Sequence, residues 1–289
     1  MSGDVPARAA VTNGPLGVFD SGLGGLTVVH ALRQSLPSES IIYLGDTARV
    51  PYGTRSAETV IRYARGCARL LIERGIKALI VACNTVSAVA IELLRAELDL
   101  PVMGVVEPGA RTAIHAIERM PSAANAARIG VLGTAGTVAS GAYPRAVGQV
   151  STRYEVVAQA APLLVPLVEE GWLEGEVPRL VIQRYLAPLI EANVSVIVLG
   201  CTHYPLLAPL IREEAERLAG RPIVVVDSAA ATADAVREWI HQDRILPASS
   251  SISGLELLVT DRPQTFASVA SRFLGEDVPP VELVDLAPS

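Results

Sequence analysis

Lysine is almost absent. Of the 24 basic residues in the 289-residue chain only Lys77 is a lysine, the rest being arginine. Pyridoxal chemistry needs a lysine at the site for its Schiff base, and Lys77 stands just before the apolar run ALIVAC, at the amino end of an expected strand. Open α/β sheets bind their ligands beyond the carboxyl ends of the strands, so this lysine lies on the wrong edge. Aromatic residues are scarce at 4%, and the basic residues face 30 acidic ones for a net charge of −6. Phosphate binding wants a basic surface and single-strand binding wants aromatic platforms, so nucleic acid is set aside as a partner. Charged residues make up only 19% of the chain and hydrophobic ones 50%, a balance that excludes disorder and favours large buried sheets. Long apolar runs are missing too. ALIVAC and VSVIVLG fall far short of the roughly 18 consecutive apolar residues of a spanning helix, so no membrane partner is expected. Three cysteines, Cys67, Cys83 and Cys201, are odd in number and widely spaced, which fits reduced thiols in a reducing compartment better than a disulfide framework.

The first 14 residues carry Asp4 and Pro6 where a signal peptide would have a basic start and an apolar stretch. They read as a short disordered leader, and the chain as cytoplasmic. Beyond them, short β-type runs (GVFD, IIYLGD, ALIVAC, PVMGVV, RIGVLGT, YEVVAQA, VSVIVLG, PIVVVD) alternate with helical patterns. Over residues 57–74 the apolar positions Val60, Ile61, Ala64, Cys67, Ala68, Leu71 and Ile72 make one stripe. Cys67 inside it reads as a core side chain. The expected fold class is α/β: two similar lobes, each a mainly parallel sheet flanked by helices, with the site in the cleft between them. The first lobe is expected to take residues 15–108 plus 231–289, the second 109–230. The stretch PASSSISG, 247–254, reads as a loop into GLELLVT, an extra strand on the first sheet. Residues 250–289 show no recognisable chemistry.

An internal echo supports the two lobes. VFDSG and VLGTAGT each end a strand in a Gly-rich turn, and each is followed by a strand ending in Cys, then Asn or Thr. Asp20 precedes Cys83 by 63 positions, and Thr134 precedes Cys201 by 67. The turn DSGLGGLT, 20–27, imitates a dinucleotide site, but Thr27 stands where the fingerprint needs its last glycine, and no GK[ST] follows. What remains is a turn whose amides and Ser21 hydroxyl suit a small anion such as a carboxylate. Cys83 and Cys201 are each expected at a helix start, which would lower their pKa values from the free range. Two activated thiols related by lobe symmetry suggest a proton acceptor and a proton donor on opposite faces of one carbon, with Asp20 and His203 placed to relay. Cys201 and His203 alone make too few ligands for zinc. His30, His115 and His241 read as surface or packing residues.

In this order and at these intervals DSGLGGLT, GDTARVPYG, ACNT, GTAGT, PLVEEG and GCTHYP resemble the glutamate racemases of the aspartate/glutamate racemase superfamily. The likeness spans about residues 15 to 275. It implies a two-domain, cofactor-independent and metal-free isomerase with L- and D-glutamate as substrates, serving peptidoglycan synthesis, and leaves room for a homodimer. By the resemblance Cys83 removes the α-proton of D-glutamate and Cys201 that of L-glutamate. Asp20 assists the first, Glu169 and His203 the second, with the adjacent Glu170 as the alternative to Glu169. Substrate is held by Asp20 and Ser21, Tyr52 and Gly53, Asn84 and Thr85, Thr134 and Thr137, and Thr202 and His203. The leader does not look like the longer extension of members activated by a peptidoglycan precursor. Two other readings stay open at this point: a racemase for aspartate or hydantoin, and a non-catalytic binder of an acidic amino acid in which the cysteines are incidental.

Overall fold

The computed structural model describes residues 13–120, 128–248 and 253–286. The expected leader lies almost wholly outside them, as does the middle of the Ser-rich stretch. In the first part of the chain β1 (Leu16–Asp20), α1 (Leu26–Ser35), β2 (Ile41–Gly45), α2 (Ala57–Glu73), β3 (Ala78–Val81), α3 (Asn84–Glu97) and β4 (Val102–Gly104) alternate, and α4 (Val106–Glu118) leads away. The second part runs β5 (Arg128–Gly133), α5 (Ala135–Ala139), α6 (Ala142–Val150), β6 (Glu155–Ala160), α7 (Leu164–Glu169), α8 (Glu176–Glu191), β7 (Val194–Gly200), α9 (Ala208–Ala219) and β8 (Val224–Asp227). Helix α10 (Ser228–His241) carries the chain back, and β9 (Leu255–Val259), α11 (Pro263–Leu274) and β10 (Val281–Leu283) close it.

These strands form two parallel sheets, in the orders β10-β9-β2-β1-β3-β4 and β6-β5-β7-β8. Helices cover both faces, so the central strands are buried throughout, all five residues of β1 and all four of β3, and apolar but for Asp20 at the end of β1. GLELLVT does supply the extra strand, pairing with β2 from Ile41↔Leu255 to Gly45↔Val259. Strand β10, three residues at the sheet edge, was not anticipated. In α2 the stripe holds for Val60, Ala64, Cys67, Ala68 and Leu71, but Ile72 faces solvent.

The echo becomes geometry here. β1 and β3 are neighbours with Phe19 beside Val81, and β5 and β7 are neighbours with Gly133 beside Gly200. Asp20 and Cys83 therefore leave adjacent strand ends of one sheet, and Thr134 and Cys201 leave adjacent strand ends of the other. An apolar cluster runs unbroken from Val18 and Leu26 to Leu199 and Tyr204, so the two sheets share a core. At the far edge, Lys77 is buried against Glu39, 2.5 Å away, and donates to the Leu246 carbonyl at 2.7 Å. Its charge is spent on structure.

Candidate active site

One wall grows from β1. Its last residue, Asp20, is buried, and Oδ2 accepts the Gly22 N–H at 3.1 Å. The turn wraps the carboxylate so closely that a Cβ on Gly25 would stand 2.4 Å from the Asp20 Cβ. Burial raises the Asp20 pKa, opposed by the charge of His203 and by the amides of Gly25, Gly22 and Ser21. Next to it Cys83 occupies the N-cap of α3, its Sγ 3.5 Å from Ser21 Oγ. The expectation of an acidified thiol fails at this cysteine. Burial first, then the charge of Asp20, push its pKa up to about 12 against the Ser21 hydroxyl and the Val86 amide. A helix start favours a thiolate by a modest amount, and complete desolvation outweighs it.

The other wall grows from β7. Cys201 is buried, but a turn and a 3-10 segment, Tyr204–Leu207, follow it before α9 begins, so it does not sit at an α-helix start as expected. Its partner is a side chain: Sγ lies 3.9 Å from His203 Nδ1, and His203 Nε2 lies 3.0 Å from Glu169 Oε1. Of the two neighbouring glutamates, it is Glu169, at the end of α7, that meets the imidazole. Burial alone would lower the His203 pKa, yet the hydrogen bonds and charge of Cys201 and Glu169 carry it up to about 10. This wall touches the first one directly. Thr27 of α1 donates to the Thr202 carbonyl at 2.9 Å, and Gly24 packs on Thr202 and His203.

Between the walls, hydroxyls from both sheets meet. Thr85 Oγ1 is 3.0 Å from Thr134 Oγ1, which is 3.0 Å from Thr137 Oγ1, and Thr134 also caps α5 by accepting the Thr137 N–H. Gly53 faces Thr134, where a Cβ would come within 3.2 Å. Tyr52 stands next to it in the same turn. Its ring is buried in the core and its hydroxyl donates to Asp46, so the Tyr52–Gly53 turn offers main chain rather than a phenol.

Three buried side-chain polar atoms among the described residues lack a hydrogen-bond partner: Glu39 Oε2, Asp20 Oδ1 and Asn84 Nδ2. The first is ion-paired with Lys77. The other two belong to this site, and buried polar groups left open call for a ligand. A carboxylate oxygen suits an ammonium, and an amide N–H₂ suits a carboxylate, which together are the head of an amino acid. Among the described residues no three His, Cys, Asp or Glu side chains gather as metal ligands, and no helix is long and apolar enough to cross a membrane.

Several residues around the site had no sequence signal. Tyr143 donates to Asn84 Oδ1 at 2.8 Å, which fixes the amide with its buried N–H₂ free of a protein partner. Residues 250–289, read as chemically silent, send α11 to the site: the Phe273 ring meets His203 edge-on at 5.4 Å, and Arg272 hydrogen-bonds the Glu169 carbonyl at 2.7 Å.

The family model for Asp/Glu/Hydantoin racemase matches residues 26–236. A glutamate racemase of Geobacter metallireducens is 46% identical over 271 residues, covering 94% of this chain and 96% of that protein. Among solved structures, a glutamate racemase isoform of Bacillus anthracis superposes with a TM-score of 0.86 at 35% identity, covering 94% of this chain and 98% of that one. The Francisella tularensis glutamate racemase in complex with D-glutamate gives 0.84 at 33% identity, covering 95% and 98%.

Proposed function

The chain belongs to the Asp/Glu/Hydantoin racemase family, and from that premise we propose that it interconverts L- and D-glutamate by moving the α-proton between Cys83 and Cys201, without a cofactor. The observation that carries the reading is the pair of buried thiols at corresponding strand ends of the two sheets, Cys83 under the charge of Asp20 and Cys201 beside the His203 imidazole. With its pKa pushed up to about 12 by burial and the charge of Asp20, Cys83 rests as a neutral thiol, the form needed to deliver a proton to the D face. On the opposite wall Cys201 takes the proton of L-glutamate, with the His203–Glu169 pair beside it to hold and exchange protons. For D-glutamate the roles reverse. Cys83 must first lose its proton, and Asp20, buried with a raised pKa, is placed to take it.

Removing an α-proton pushes charge onto the α-carboxylate, and without a cofactor fixed donors must bear it. The Asn84 amide, the Thr85, Thr134, Thr137 and Thr202 hydroxyls and the backbone amides of the two turns are the donors we assign. Asp20 Oδ1 takes the ammonium. Ser21, Gly53 and His203 complete the substrate shell. We take the lobes as residues 15–108 plus 231–289 and 109–230, the division that puts Cys83 on one and Cys201 on the other. The physiological role that follows is supply of D-glutamate for peptidoglycan in the cytoplasm.

Purified protein given L-glutamate or L-aspartate with no added cofactor, and analysed by chiral chromatography, tests the reading. Glutamate should racemise in preference to aspartate, and Cys83→Ala and Cys201→Ala should each lose at least about a thousandfold in both directions. Racemisation surviving in either variant would contradict the two-thiol assignment.

A further inference from the structure

Helix α11 belongs to the first sheet's side of the molecule and packs on α1, yet its last turn reaches the second wall. Arg272 Nη1 donates to two carbonyls at the end of α7, to Val168 at 3.0 Å and to Glu169 at 2.7 Å. A guanidinium over the last carbonyls of a helix satisfies acceptors that the helix itself leaves open. Space for it comes from Gly171, whose φ of +78° turns the chain and whose Cβ would stand 2.9 Å from Arg272 Nη2. The next residue, Phe273, is buried edge-on against His203, and the Leu274 carbonyl is tied to His30 of α1 at 2.5 Å. The last turn of α11 thus grips the Glu169 backbone and the His203 ring from outside the second sheet, with its own end anchored to the first.

We infer that Arg272 is a positioning residue for the Cys201 half of the reaction, fixing Glu169 against His203 across the two lobes. It touches no reacting atom, and no bond is made or broken at it. The proposal rests on the reading of Cys201 as the base for L-glutamate. Arg272 is exposed, so Arg272→Ala leaves no hole in the core.

Because enantiomers have equal free energies, kcat/KM must be equal in the two directions in every variant, and a one-sided effect has to be sought in isotope effects. In Arg272→Ala kcat/KM should fall by about tenfold, the worth of a lost charge-assisted hydrogen bond. Slower transfer at Cys201 should raise the isotope effect on kcat/KM for α-deuterated L-glutamate above wild type. For α-deuterated D-glutamate, whose deuteron leaves to Cys83 before the slowed step, the effect should fall towards unity. Arg272→Lys, keeping a cationic donor, should recover part of the rate. Isotope effects that stay at wild-type values, or that move alike for both enantiomers, would overturn the proposal and leave the two-thiol reading standing. Failure of that reading would show differently, as racemisation surviving in Cys201→Ala, and would take the proposal with it.

Discussion

Adding one methyl group at Gly24 should cripple the enzyme without unfolding it. A Cβ there would lie 2.3 Å from Thr202 Oγ1 and 2.5 Å from His203 Nδ1. Non-bonded heavy atoms settle at about 3.5 Å, so the opposing wall must retreat by roughly 1 Å. His203 has nowhere cheap to go, being held by Glu169 at 3.0 Å and flanked by Phe273. A displacement of about 1 Å in a group that must meet a reacting atom costs about a hundredfold. Gly24→Ala should therefore lower kcat/KM about a hundredfold in both directions, by initial rates under chiral chromatography. Its melting temperature should stay near that of the parent, because the clash is with cleft side chains rather than the shared core. Gly66→Ala is the control: it sits within α2 with no atom within 4 Å of the added carbon. That change should leave turnover alone and stabilise the helix by about 1 kcal/mol. Wild-type turnover in Gly24→Ala would refute the claim that the two walls are in contact at this glycine during catalysis.

Two further outcomes follow from the same geometry. His203 holds its proton up to about pH 10 in the fold, against about 6.5 in an unfolded chain. The stability this contributes is full below about pH 6.5 and is lost as pH rises through about 10, and the raised pKa of Cys83 acts in the same sense at higher pH. The urea midpoint should accordingly drop between pH 7 and pH 9.5, and His203→Asn should flatten that slope; a pH-independent midpoint would contradict the assignment. Tyr143→Phe keeps the buried ring but frees the Asn84 amide. It should raise KM for glutamate roughly fivefold, about 1 kcal/mol, with kcat little changed, and an unaltered KM would argue against Asn84 as a carboxylate donor.

The alternation of strands and helices was legible because parallel strands covered on both faces are unbroken apolar runs, and helices show their period. The two cysteines were legible for the same reason, since each follows such a run. What the pattern of neighbours could not reveal was burial. Cys83 reads as a helix start, but complete desolvation decides its pKa. Tyr52 reads as a site residue, and only the fold shows that its hydroxyl is held by Asp46, which leaves the main chain of its turn for the site. Partners distant in the chain were equally invisible: Tyr143 lies 59 positions from the Asn84 it orients, and Arg272 lies 103 from the Glu169 it holds. Neither pair leaves a local motif.

The central claim is that one thiol takes the α-proton from one face while the other delivers its own to the opposite face, and it is tested most directly by racemisation in D₂O. Starting from unlabelled L-glutamate, the delivered proton comes from a thiol already equilibrated with solvent. The first D-glutamate formed should carry deuterium at Cα in nearly every molecule by mass spectrometry, while the remaining L-glutamate gains label more slowly. Early D-glutamate that retains its original hydrogen would contradict the account, because only a single group carrying the same proton from face to face could put it there.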